Sequence, residues 1–179
     1  METEKKEEKI DLREGNISLL VQSYDYLFSD FDPRDYSQKI LSEDFIEECK
    51  RAVREKEDKI ELILLHPKNK RNTKDKAKIK KRLKEYFTYN FKKEEEKIKK
   101  IKKTGLFWFS MGALIMILAT FLAGKTNFFL RLLEIMAVPA SWFFFWEGLG
   151  KIIILSNEKM PNYEFYKKMS KANIIFADY

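Results

Sequence analysis

A single cysteine and a single histidine in 179 residues exclude a disulfide scaffold and a zinc site built from several imidazoles. The chain also has no Walker loop, no GxSxG elbow, no metal-spaced His/Cys set and no glycine-rich dinucleotide turn, so no standard catalytic or cofactor motif is present. Charge is missing where it is otherwise abundant. Thr104–Gly124 is a run of 21 residues without one Asp, Glu, Lys or Arg. Phe128–Leu155 is a second apolar run, interrupted only by Arg131, Glu134, Glu147 and Lys151. The mean hydropathy of −0.45 therefore averages two opposite populations.

The net charge of +7 is equally uneven. Residues 1–67 carry 11 Lys/Arg against 18 Asp/Glu, residues 68–103 carry 17 against 5, and residues 104–179 carry 7 against 5. Crossing about 30 Å of hydrocarbon takes about 20 apolar residues in a helix. The spans are expected at about 104–124 and 132–153, joined by a short loop into an antiparallel hairpin occupying 104–155. More than 100 charge-rich residues precede the first run, which sets it apart from a cleaved signal peptide. Trp142 and Trp146 suit the exit interface, and Pro139 lies within the second span. Lys92, Lys93, Lys97, Lys99, Lys100, Lys102 and Lys103 crowd the entrance to the first span, whereas the hairpin loop offers only Lys125 and Arg131. The positive-inside rule then puts both termini in the cytoplasm of a multi-pass cell-membrane protein. That makes Cys49 cytosolic and reduced, and its place in an amphipathic helix makes it core.

The remaining residues predict one small cytosolic α/β domain. Residues 1–15 read as a mobile charged leader, and 16–103 as an α/β body ending in a long basic juxtamembrane helix. Ile17, Leu19 and Val21 alternate in a strand over Asn16–Leu27, and Ile60–Leu65 is a second strand stopped by Pro67. Between them, Ser42 stands at an N-cap position, and Phe45, Ile46, Cys49 and Val53 recur at helical spacing over Glu43–Lys56. Strand, helix and strand form a βαβ unit. From about Lys74 a helix with Ile79, Leu83, Tyr86 and Phe87 on one stripe runs without proline toward the first span. Residues 156–179 supply a helix over Asn162–Lys171 and a strand over Asn173–Tyr179. That strand is expected to join the sheet, making the hairpin an insertion in a split domain; an independent tail is the alternative.

Several residues admit a functional reading beside a plain one. The lysines at 92–103 suit anionic headgroups, nucleic-acid phosphates or simple topology determination; their adjacency to the span favours lipid, and no nucleic-acid module accompanies them. Asp30, Asp32 and Asp35 are spaced like hard-cation ligands but lack the glycine and distal glutamate of a calcium loop, so satisfying loop N–H groups, with Arg34 as a partner, is the simpler role. Glu147 either lines an ion path or pairs with Lys151 at i,i+4, and Arg131 with Glu134 reads as an i,i+3 pair. Gly105, Gly112 and Ala119 recur every seven residues and let another helix approach, the second span or a second copy.

The string Ser29-Asp30-Phe31-Asp32-Pro33-Arg34-x-Tyr36-Ser37, with Leu41-Ser42-x-Asp44-Phe45, Trp146-Glu147-Gly148-Leu149 and Phe165-Tyr166-x-Lys168-Met169-Ser170-Lys171-Ala172, resembles a family of small prokaryotic two-span membrane proteins with no established activity. The resemblance implies architecture and a microbial source, and carries over no catalytic, cofactor or metal residue. The expected function is a non-enzymatic anchor presenting a cytosolic partner- or ligand-binding domain. The alternative is a homo-oligomeric channel or small transporter, because two helices per subunit cannot enclose an aqueous path.

Overall fold

The computed structural model describes residues 16–54, 56, 60–67 and 73–178. The expected leader, the Asn/Lys-rich turn at 68–72 and Tyr179 lie outside them. In chain order the elements are β1 (Asn16–Leu20), a 3₁₀ turn (Tyr24–Leu27), α1 (Glu43–Val53), β2 (Glu61–His66), α2 (Thr73–Leu122), α3 (Phe128–Gly150), a π turn (Lys151–Leu155), α4 (Ser156–Lys171) and β3 (Asn173–Asp178). The described residues of 1–89 and 165–179 form one compact unit, and those of 90–164 form a second.

The first unit is built on a parallel three-stranded sheet in the order β1-β2-β3. Asn16 to Leu20 face Glu61 to Leu65, and Glu61 to His66 face Asn173 to Asp178. The C-terminal strand thus pairs with β2, as its apolar residues suggested. β2 is central, so Leu62, Ile63 and Leu64 are buried in succession, as expected of a strand covered on both faces. β1 is shorter than its sequence pattern. After one further ladder bond, from Val21 N to Leu65 O at 2.8 Å, the chain leaves the sheet at a turn in which the Ser23 hydroxyl accepts from Asp25 N. Tyr24 and Leu27 are three apart, which puts both on the buried side of a 3₁₀ turn.

α1 buries Phe45, Ile46, Cys49 and Val53 and ends earlier than expected, at Val53. Ser42 is extended at the cap position, but its hydroxyl makes no capping bond. From α2, Ile79, Leu83 and Phe87 enter the same core, where Phe87 meets Phe165 of α4 edge-on at 6.1 Å and Met169 and Ile174 are fully covered.

The second unit holds two helices long and apolar enough to cross a membrane. α2 has 50 residues, of which those from Asn90 to Leu122 belong to this unit. α3 continues through Pro139 and, by way of the π turn, into α4, which starts six residues before the expected Asn162.

Candidate functional site

Small residues set how closely the two long helices approach. A Cβ on Gly105 would lie 2.9 Å from Gly148 O, one on Gly112 2.8 Å from Ser141 O, and one on Gly148 2.5 Å from Phe109 N. Moving seven residues along α2, from Gly105 to Gly112, moves seven back along α3, from Gly148 to Ser141, so the helices are antiparallel. Gly105 and Gly112 therefore lie against α3 of the same chain, and Ala119 is buried further along α2. Gly148 and Ser141 are the half of this contact that reading α2 alone missed; their own seven-residue spacing was the available signal. Phe109 on Phe145 at 4.2 Å and Trp108 on Phe144 at 5.1 Å fill the flanks.

The π turn has a cause in this register. Phe91 meets Tyr163 at 5.6 Å, so fourteen steps along α2, from Phe91 to Gly105, oppose fifteen from Gly148 to Tyr163. One extra residue in an α-helix would rotate its face by about 100°. The wider π turn at Lys151–Leu155 absorbs it and keeps Ser156 buried. Beside this turn Lys151 pairs with Glu147 and reaches over the Trp108 ring at 5.8 Å. Arg131 and Glu134 are not an ion pair among the described residues.

The outer surface of this unit is apolar. Nineteen large hydrophobic side chains between Leu106 and Ile154 are exposed, and the most apolar windows of the two helices are only 17% and 6% buried. A core helix of a soluble domain would be mostly covered. Immediately before this surface, Lys92, Lys93, Lys97, Lys99, Lys100, Lys102 and Lys103 are all exposed. On a helical projection they spread over about 220°, leaving free the sector that holds Glu94, Ile98, Gly105 and Gly112. Glu94 and Glu95 hold Lys97 and Lys99 at 2.6 and 3.0 Å; the other five make no ion pair among the described residues. Such a collar can meet phosphate headgroups from most directions.

In the first unit the acidic loop is a clamp. The buried Asp32 carboxylate accepts from Arg34 Nε and Nη2 at 2.8 and 2.7 Å and from Ile40 N at 2.7 Å. Asp35 accepts from Ser37 N at 3.0 Å and pairs with Lys78 at 2.9 Å, while Asp30 is exposed. The Arg34 guanidinium holds Asp32 well below the usual carboxylate range, and the Ser37 N–H with Lys78 brings Asp35 to about 2. Because both acids are shifted down in the folded state, their contribution is complete above about pH 4, where an unfolded aspartate is ionised, and fades as pH falls toward 2. Amide exchange at Ile40 should accordingly stay slow at pH 5 and accelerate below pH 3; a change centred near pH 6 would contradict the clamp.

Cys49 is fully buried, and burial pushes its thiol up to about 12, which makes it a poor nucleophile. Buried His66 stacks on Tyr24 at 4.4 Å, with Nδ1 donating to the Pro67 carbonyl at 2.9 Å. Among the described residues no three His, Cys, Asp or Glu side chains converge on a possible metal position. No family model, curated protein or solved structure matches this chain.

Proposed function

We propose that the chain is a two-span membrane protein that anchors a small α/β domain on the cytoplasmic side, where the domain binds a partner rather than catalysing a reaction. The observation that carries this reading is the exposed apolar surface from Leu106 to Ile154, directly behind seven exposed lysines. Lipid tails are the solvent that removes the cost of that surface, and the lysines suit an anionic inner leaflet at about 1 kcal/mol each. In this reading the sheet domain is a βαβ fold split by the membrane hairpin, with both termini cytoplasmic.

Topology is directly testable because the native Cys49 is buried and unreactive. With an impermeant maleimide, a single cysteine replacing Asn127 should label on intact cells, and one replacing Tyr89 only after the membrane is permeabilised; both positions are exposed. Labelling of both from one side would overturn the topology.

The same reading treats Glu147 as half of an ion pair with Lys151, not as a wall of a conduit. An i,i+4 pair is worth about 0.2–0.5 kcal/mol. Glu147→Gln should therefore leave folding and mass in detergent almost unchanged, and vesicles containing either form should conduct no cations. Wild-type flux abolished by the substitution would establish the conduit instead.

A further inference from the structure

The lysine collar accounts for only part of the basic stretch. Of the 17 Lys/Arg in residues 68–103, ten precede Phe91, against two acids, Asp75 and Glu85. Two of the ten hold the fold together: Lys78 pairs with Asp35 at 2.9 Å, and Arg82 Nε donates to Lys39 O at 3.0 Å. Three others, Lys80, Lys81 and Lys84, are exposed and gather around one cavity of about 560 Å³ between α2 and the start of β3.

The lining of that cavity decides what it can hold. Ala172 and Ile174 are buried and close its floor, so an apolar ligand gains little contact there. Among the described residues no aromatic side chain lines it, which leaves a nucleobase nothing to stack on. Its polar groups are three ammonium groups and the exposed Asn173 amide, against the single carboxylate of Glu85. Glu85 sits 3.8 Å from Lys81, whereas Lys80 makes no ion pair among the described residues. Lys84 Nζ donates one N–H to Ala172 O at 3.3 Å, which fixes the ammonium while its other donors remain. Lys80 and Lys84 at i,i+4, with Lys81 and Lys84 at i,i+3, repel each other along α2. An anion between them turns that repulsion into attraction.

We propose that this cavity binds a small phosphate-bearing anion, with Lys80, Lys81 and Lys84 donating to its oxygens and the Asn173 side chain adding a neutral donor. Lysine suits this role as a point charge with three donors. The volume is that of a small-molecule site. Charge rather than shape selects the ligand, so a phosphate ester or a polyphosphate qualifies, free in solution or carried on a lipid headgroup. Every residue of the cavity belongs to the sheet-domain unit, so the site stands whether or not the hairpin crosses a membrane.

The test uses the full chain in neutral detergent, titrated with inorganic pyrophosphate by calorimetry. In parallel its lysines are acetylated with and without pyrophosphate and read by mass spectrometry. Pyrophosphate should bind and should protect Lys80, Lys81 and Lys84, while exposed Lys125 reacts as before. Lys80→Gln should weaken binding by about 10-fold or more, the effect of losing one charge-assisted hydrogen bond. Lys80→Arg, which keeps the charge, should restore most of it, and Lys125→Gln should change nothing. An unreactive, buried Cys49 reports that each variant is folded. Acetylation in bilayer discs without free phosphate identifies the source. Protection in discs holding phosphatidic acid, but not in phosphatidylcholine alone, assigns the site to a headgroup; protection by pyrophosphate alone assigns it to a soluble ligand. Folded chains whose cavity lysines acetylate equally under all these conditions would overturn the proposal. So would pyrophosphate binding that survives Lys80→Gln but is lost with Lys92→Gln and Lys93→Gln, because the anion would then lie on the collar.

Discussion

Deleting Asn173–Tyr179 should unfold the sheet domain. The deletion removes the whole β2–β3 ladder, from Glu61↔Asn173 to His66↔Asp178, and turns β2 from a central strand into an edge. It also removes the buried Ile174 side chain; truncating such a residue to alanine alone costs about 2–5 kcal/mol. A two-stranded remnant is marginal in water. Amide protection across Glu61–His66 should collapse, and Cys49 should become reactive toward maleimide. Ile174→Ala should give the same changes in partial form. A truncated chain that keeps both its protection and an inert Cys49 would show that β1, β2 and the helices suffice.

Gly148→Ala should loosen the helical hairpin, while Gly150→Ala, two residues away, should not. At Gly148 a Cβ would meet Phe109 N at 2.5 Å and Gly105 O at 2.7 Å, both backbone atoms that cannot turn aside as a side chain can. Forcing a methyl group into such a contact costs about 1–3 kcal/mol. At Gly150 nothing lies within 4 Å, so alanine there should be neutral or stabilising by about 0.4–1 kcal/mol through its lower entropy in the unfolded chain. Thermal unfolding in micelles should separate the two variants, and the fluorescence of Trp108, packed on Phe144 at 5.1 Å, should follow the loosening. Equal stability of the two would mean that the helices do not touch at Gly148.

The apolar runs, the lysine collar and the core stripes of α1 and α2 are legible in the sequence because each depends on a local period or a local count. Phe45, Ile46, Cys49 and Val53 fall on one side of a helix whatever surrounds it, and nineteen large apolar side chains cannot be buried by two helices alone. The pairing of β3 was legible for a similar reason, since Ile174, Ile175 and Phe176 need a sheet to lie in. Tertiary structure decided what depends on distant partners. It ended β1 at Leu20, because the chain past Val21 has no further strand to pair with and Tyr24 and Leu27 gain burial in a 3₁₀ turn. It chose Gly148 and Ser141 as the counterparts of Gly105 and Gly112, a register that exists only once two helices meet. It placed the π turn at Lys151–Leu155, where fifteen residues of one helix must match fourteen of the other. It also made Asp32 a buried clamp and left Asp30 in solvent, because only the folded loop brings Arg34 and the Ile40 N–H onto one carboxylate and not its neighbour.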